Sequence, residues 1–258
     1  MTTNNPQPKD DFYNQYLPMP RSVTTFLLKF VPLLIAGVLI FGFVLPLVHD
    51  QYNKGAFAGG VSYTGYVVAN PAPHLIVPRP GNTESGSDYS YYLLAATNKA
   101  GPPDNIMDFV DQWVNIEGVV AVARNQLTLL AVSKRAPVMA AEAPEGFELN
   151  LDGKSLGEFS LEGEIIDSKC YSGVMKPGQT KTHRGCAIRC IAGGVPATFI
   201  SHNEQGDPLY FVLSDLEGKS VRSRILNHVG DALRITGEVV QFGDAFVLKA
   251  DPKEYKVI

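Results

Sequence analysis

The chain has 258 residues, a formal net charge of −4 and 45% hydrophobic residues. That length suits one or two globular domains plus an apolar segment. The weak acidic balance and the absence of a Lys/Arg run argue against a nucleic-acid partner, because phosphate contact favours a basic patch.

Residues 1–24 are polar and Pro-containing, and are expected to form a flexible cytoplasmic tail. Residues 25–48 follow as a predicted transmembrane helix. From Phe30 to Val48 the run FVPLLIAGVLIFGFVLPLV has no charged or strongly polar side chain. Crossing roughly 30 Å of hydrocarbon takes about 20 such residues. Ala56-Phe57-Ala58 mimics a signal-peptide cleavage site. A cleavable apolar region, however, is about 7–15 residues long. Here, too, His49, Asp50, Gln51, Asn53 and Lys54 separate the run from that site. An uncleaved anchor in the lipid bilayer is the expectation. Lys9, Arg21 and Lys29 precede or enter the span, and only Lys54 follows it before Arg79. That bias predicts a single-pass protein of the inner membrane, N-terminus in the cytoplasm and the rest periplasmic.

The remainder repeats itself. VNIEGVVAVARNQLTLLA (114–131) aligns without a gap on LRITGEVVQFGDAFVLKA (233–250). Tyr91-Tyr-Leu-Leu94 matches Tyr210-Phe-Val-Leu213, and the stretch around Gly65 matches that around Gly163. Leu94 to Gly118 and Leu213 to Gly237 both span 24 residues, whereas Gly65 to Leu94 spans 29 and Gly163 to Leu213 spans 50. The second copy therefore carries an insertion of 21 residues after its first strand. Each copy reads as short strands of period two. Asn125-Gln126 and Gly243-Asp244 are hairpin turns, and Gly65, Gly118, Gly163 and Gly237 mark bulges or sharp coiling. Short helical stretches fall at Asp104–Asp111 and Val221–Val229. The fold class expected is mainly β: one N-terminal transmembrane helix followed by two tandem OB-like small β-barrel domains. A single larger sandwich built from both copies is the rival. The first domain is placed at 58–136, a linker at 137–157, and the second domain at 158–258 with its Cys/His insertion at 167–195. Residues 70–90, rich in Pro, Gly, Ser and Asn, read as a long loop.

The insertion holds every cysteine of the chain: Cys170, Cys186 and Cys190, with His183 beside them. THRGCAIRCIAGG reads as one helix closed by Gly193, with His183, Cys186 and Cys190 on one face. A Cys₃His set suits tetrahedral zinc, and the soft thiolates also suit copper(I). The C-x₃-C pair with a distant His is similar to sites in copper-delivery thioredoxin-like proteins and in the dinuclear copper subunit of cytochrome oxidase, although Ile-Ala-Gly-Gly-Val-Pro stands where the oxidase motif has a His and a Met. A disulfide from Cys170 to Cys186 or Cys190 is the favoured alternative in an oxidising compartment, stapling the insertion and leaving one thiol over. Thiol-exchange catalysis lacks a C-x-x-C. Asp167-Ser168 are expected to shape a turn, His74, His202 and His228 to be solvated, and Trp113 to serve core or interface. No phosphate loop, Ser/His/Asp order or paired carboxylates stand out, so the chain is read as no enzyme and without an obligatory cofactor.

Gly163-Glu-Ile-Ile-Asp-Ser-Lys-Cys170, Cys186-Ala-Ile-Arg-Cys190 with Gly193-Gly194, and Leu233-Arg-Ile-Thr-Gly-Glu-Val239 carry a family resemblance. On these residues the second copy resembles a poorly characterised family of exported bacterial OB-like domains, over about two-fifths of the chain. The resemblance implies an exported β domain with a shared cysteine framework, and no activity. Tyr16-Leu-Pro-Met-Pro20 resembles the stretch before the anchor in proteins of bacterial electron-transfer genes. The function expected is therefore a membrane-anchored, non-catalytic accessory subunit docking on other membrane-protein subunits of an electron-transfer complex. The alternative is a periplasmic copper- or zinc-binding protein using Cys170, His183, Cys186 and Cys190.

Overall fold

The structure is a computed structural model that describes residues 19–48, 55–79, 87–173, 175 and 177–258. Most of the expected tail and the polar stretch after the anchor lie outside these residues.

Helix α1 (Arg21–Val48) has 28 residues and no buried side chain, and it is long and apolar enough to cross a membrane. At 1.5 Å per residue it measures about 42 Å. It begins four residues before the expected boundary, with Thr24 and Thr25 hydroxyls bonding the carbonyls one turn back. Pro32 consequently lies inside the helix rather than near its end, and removes the bond to the Leu28 carbonyl.

Residues 52–258 form a separate compact unit. Its first half contains β1 (Ala56–Val68), β2 (His74–Pro78), β3 (Tyr89–Ala96), a single helical turn α2 (Asp104–Met107), β4 (Trp113–Arg124), β5 (Leu127–Val132) and β6 (Val138–Ala140). Its second half contains β7 (Lys154–Asp167), α3 (Ser168–Ser172), α4 (Thr180–Ala192), β8 (Ala197–His202) and β9 (Pro208–Ser214). Two 3₁₀ turns follow, then β10 (Ala232–Phe242), β11 (Ala245–Lys249) and β12 (Lys256–Val257). The first half closes as β1-β2-β3-β5-β4 and back to β1, with β3 and β5 parallel. The second closes identically as β7-β8-β9-β11-β10, with β9 and β11 parallel. Two five-stranded OB-like barrels in tandem follow from that strand order.

Each barrel adds a short sixth strand in the same place. β6 pairs Ala140 with Val114, and β12 pairs Val257 with Leu233. Val114 and Leu233 are matched positions of the gapless repeat. The segment expected as a linker thus carries strand at both ends, β6 and the start of β7. The stretch 70–90, expected as one long loop, contains β2, which pairs with both β1 and β3. Pro71 and Pro73 precede this five-residue strand, HLIVP, and Pro78 is its last residue. Asn125 and Gly243 have positive φ at the two hairpin turns. Gly118 has φ +66 at a register shift between β1 and β4. Gly65, Gly163 and Gly237 instead let a neighbouring backbone carbonyl come close: those of Ile76, Ile200 and Lys249.

Three apolar cores result among the described residues. One fills the first barrel, with Leu94, Ile106, Val114 and Leu130 fully buried. One fills the second, around Ile191, Phe199, Ile225 and Leu248. The third lies between the barrels and joins Leu93 and Leu129 to Ile166, Ile200 and Val212. Period two explains this. On β3 and β5, Leu94 and Leu130 point into the barrel, while Leu93 and Leu129 point out and meet the other barrel. Strands buried on both faces read as continuous apolar runs, such as LLAA and LTLLAV.

Candidate functional site

The 21-residue insertion folds as α3 and α4 between β7 and β8, and its cysteines face the core shared by the barrels. Cys170 and Cys190 belong to that core and are buried, while Cys186 packs on its rim. Asp167, fully buried at the end of β7, fixes the arrangement. Its Oδ1 accepts the backbone N–H of Cys170 at 2.7 Å, capping α3. Its Oδ2 lies 3.0 Å from Nε2 of the buried His183, one turn into α4. The turn-forming role expected of Asp167 holds, and the ring contact adds a second one. Ser168 completes the corner by donating to the Pro196 carbonyl at 2.9 Å.

Helix α4 starts without a side-chain cap of its own; Glu164 on β7 accepts the Thr180 N–H at 2.8 Å instead. Burial pushes the Glu164 carboxyl up, against the pull of that bond. As the spacing predicted, His183, Cys186 and Cys190 share a face of α4.

The ligand atoms of Cys170, His183 and Cys186 all lie within 4.8 Å of one another. Cys190 does not join this group; it forms another with Cys170 and Asp167. The three cysteines are free thiols, and Cys170 Sγ stands 3.8 Å from Cys190 Sγ. Cys170 therefore belongs to both groups. The contact with Cys190 and burial raise the Cys170 thiol, and the same contact lowers that of Cys190.

The first barrel contributes two contacts that sequence reading missed. Lys169 on α3 donates to the carbonyls of Ala96 (2.7 Å) and Asn98, at the end of β3. Its burial lowers the ammonium pKa. The loop so held returns Lys99, whose Nζ lies 3.0 Å from Cys186 Sγ and whose pKa rises in response. The same loop docks on the end of α4 through Gly101 N–H to the Gly193 carbonyl, 2.9 Å. No local pattern could have paired Lys99 with Cys186 across 87 positions.

The other histidines separate. His202 is exposed and His228 half-buried beside Tyr255. His74, expected at the surface, is instead 3% exposed, stacked on Tyr91 with centroids 3.7 Å apart. Trp113 opens β4 between Tyr66 and Phe147, as core or interface residues do.

No family model and no curated protein matches the chain. Among the solved structures similar to it are three bound to double-stranded DNA. A HINa domain in complex with 20-base-pair double-stranded DNA is 12% identical, covering 79% of this chain and 98% of its own, at a TM-score of 0.25. A murine DNA-binding protein bound with double-stranded DNA is 12% identical, covering 76% and 95%, at 0.24. The p202 HIN1 domain with 12-mer double-stranded DNA is 13% identical, covering 81% and 96%, at 0.24. At that overlap the likeness carries no argument for this chain, whose barrels are identified by their own strand order. The exclusion of nucleic acid drawn from net charge conflicts with these DNA-bound structures and is withdrawn, since its own premise does not hold. Net charge averages the whole surface, whereas phosphate contact needs only a local cluster of cations.

Proposed function

We propose that the chain is a membrane-anchored, non-catalytic protein that binds a zinc or copper(I) ion through Cys170, His183 and Cys186. One observation carries this reading: three soft or borderline ligands from two helices converge within 4.8 Å. Two thiolates and an imidazole suit either cation. Asp167 behind His183 is the outer carboxylate that orients a metal-ligating ring, and Lys99 offsets thiolate charge at Cys186. The charge bias around α1 supports barrels held outside the cytoplasm, on the periplasmic side of an inner membrane. The cysteine framework of the second barrel supports membership of the exported OB-like family.

The test is metal content. Full-length protein, purified reduced in detergent and loaded with zinc chloride, should retain one zinc per chain after dialysis. Cys186→Ser and His183→Phe should each retain less than about a tenth of that, as loss of one of three ligands demands. Zinc retained equally by all three proteins would sink the reading.

A second reading, the accessory subunit of a membrane electron-transfer complex, rests on a different surface. A groove of about 170 Å³ on the second barrel is lined by Leu156, Phe159, Leu161, Leu209, Val239 and Phe246 among others, with Phe159 and Leu156 exposed. A photocrosslinker at Phe159 should capture subunits of a membrane redox complex, while one at exposed Glu204 should not. Equal or no capture would remove this reading.

A further inference from the structure

Cys190 is the cysteine that the proposed metal function leaves unused. It is fully buried, lies outside the ligand group and sits 3.8 Å from the sulfur of Cys170, which is inside it. A disulfide needs its sulfurs about 2.05 Å apart, so closing the bond takes a shift of under about 2 Å. Cys186 also approaches Cys190, but Lys99 faces its sulfur at 3.0 Å. One sulfur is thus shared by a metal group and a thiol pair, and it cannot serve both together.

We infer that Cys190 is the peroxide-reactive thiol and Cys170 its resolving partner, and that a hydroperoxide converts the site from a zinc-holding to a zinc-free, Cys170–Cys190 disulfide form. The inference rests on the metal reading above. Cys190 carries no metal bond, so its sulfur keeps the electron pair that attacks the peroxide. The O–O bond breaks, giving a sulfenic acid on Cys190 and one water. Cys170 then leaves zinc and attacks that sulfur; the S–S bond forms and the hydroxyl departs as a second water. In sum, one zinc-bound thiolate, one thiol, one hydrogen peroxide and one proton give one disulfide, two waters and free Zn²⁺. The two sulfurs supply both electrons, and zinc keeps its charge. His183 and Cys186 remain as two ligands, too few to hold the ion.

The cysteines thereby divide their work: Cys186 for metal alone, Cys190 for oxidation alone, Cys170 for both. Zinc-loaded full-length protein in detergent would be titrated with hydrogen peroxide, reading freed zinc with a chromophoric chelator and mapping disulfides by mass spectrometry. Wild type should free one zinc per Cys170–Cys190 disulfide. Cys190→Ser should hold its zinc and free it at least tenfold more slowly. Cys190→Ala, which keeps a small apolar group in the buried place, should behave alike. Cys186→Ser should bind no zinc yet form the same disulfide. Zinc bound by wild type but freed from both Cys190 variants at the wild-type rate overturns this inference and leaves the metal reading standing. So does a wild-type disulfide that contains Cys186. Wild type that binds no zinc at all overturns both.

Discussion

Asp167 divides its two carboxylate oxygens between the amide of Cys170 and the ring of His183, so one side chain sets both helices that carry the cysteines. The local half of that role was legible: a short acidic side chain before a helix is a capping signal. The contact to His183, sixteen residues on, was not. The same limit separates Cys170, Cys186, Cys190 and His183, visible as residue types at a spacing, from Lys99 and Lys169, whose role depends on the other barrel. His74 failed for another reason. Prolines around it read as surface, whereas they precede and end a buried strand. Its Nδ1 meets the Ala72 carbonyl at 2.8 Å, and burial lowers its pKa from 6.5 to about 3 despite that bond. The folded value lies below the unfolded one. The unfolded chain therefore takes up a proton that the folded chain refuses, and stability is lost as pH falls from 6.5 towards 3. Each pH unit in that window should cost about 1.4 kcal/mol through this group. Urea unfolding at pH 7, 5 and 4 should show His74→Phe losing less stability than wild type by about that slope. Parallel losses would remove the histidine from the account.

At the scale of elements, the insertion was the most legible part, because matched spacings on either side confined it to one place. Strands β2 and β8 were the least legible. Each is five or six residues with one flank in a Pro- or Gly-rich stretch, and the two, though they occupy the same place in their barrels, are both short. Glycines named as bulge sites had two uses that sequence cannot tell apart, positive φ at Gly118 and close backbone approach at Gly163. A β-carbon on Gly163 would collide with the Ile200 carbonyl and come within 2.9 Å of the Phe199 ring. Gly163→Ala should therefore loosen the β7–β8 pairing and cost about 1–3 kcal/mol. Gly185 lies exposed in the interior of α4 with nothing within 4 Å of such a carbon. Gly185→Ala should raise stability by about 0.5–1 kcal/mol, the usual helix-interior difference. Chemical denaturation of both variants checks the pair. Shifts of the same sign would refute this placement of the two glycines.

At the scale of the whole molecule, the duplication was readable and the fusion of its copies was not. Leu93, Leu129, Ile200 and Val212, outward on β3, β5, β8 and β9, are apolar for the sake of the opposite barrel, and one sequence alone does not say which face of a strand looks where. Polar contacts along the same seam were equally hidden. Asp244 accepts the Tyr91 N–H at 2.8 Å and pairs with Arg79 at 3.2 Å, and the Arg124 guanidinium lies 4.1 Å from the Tyr171 ring centre. The sixth strands, β6 and β12, carry a further consequence. Because both clasp the same position of their own barrel, each half repeats one closed module. Leu93 and Leu129 of one half pack with Ile200 and Val212 of the other, so parting the halves would bare an apolar flank on each. Change within either half is thereby cheaper than separation of the two.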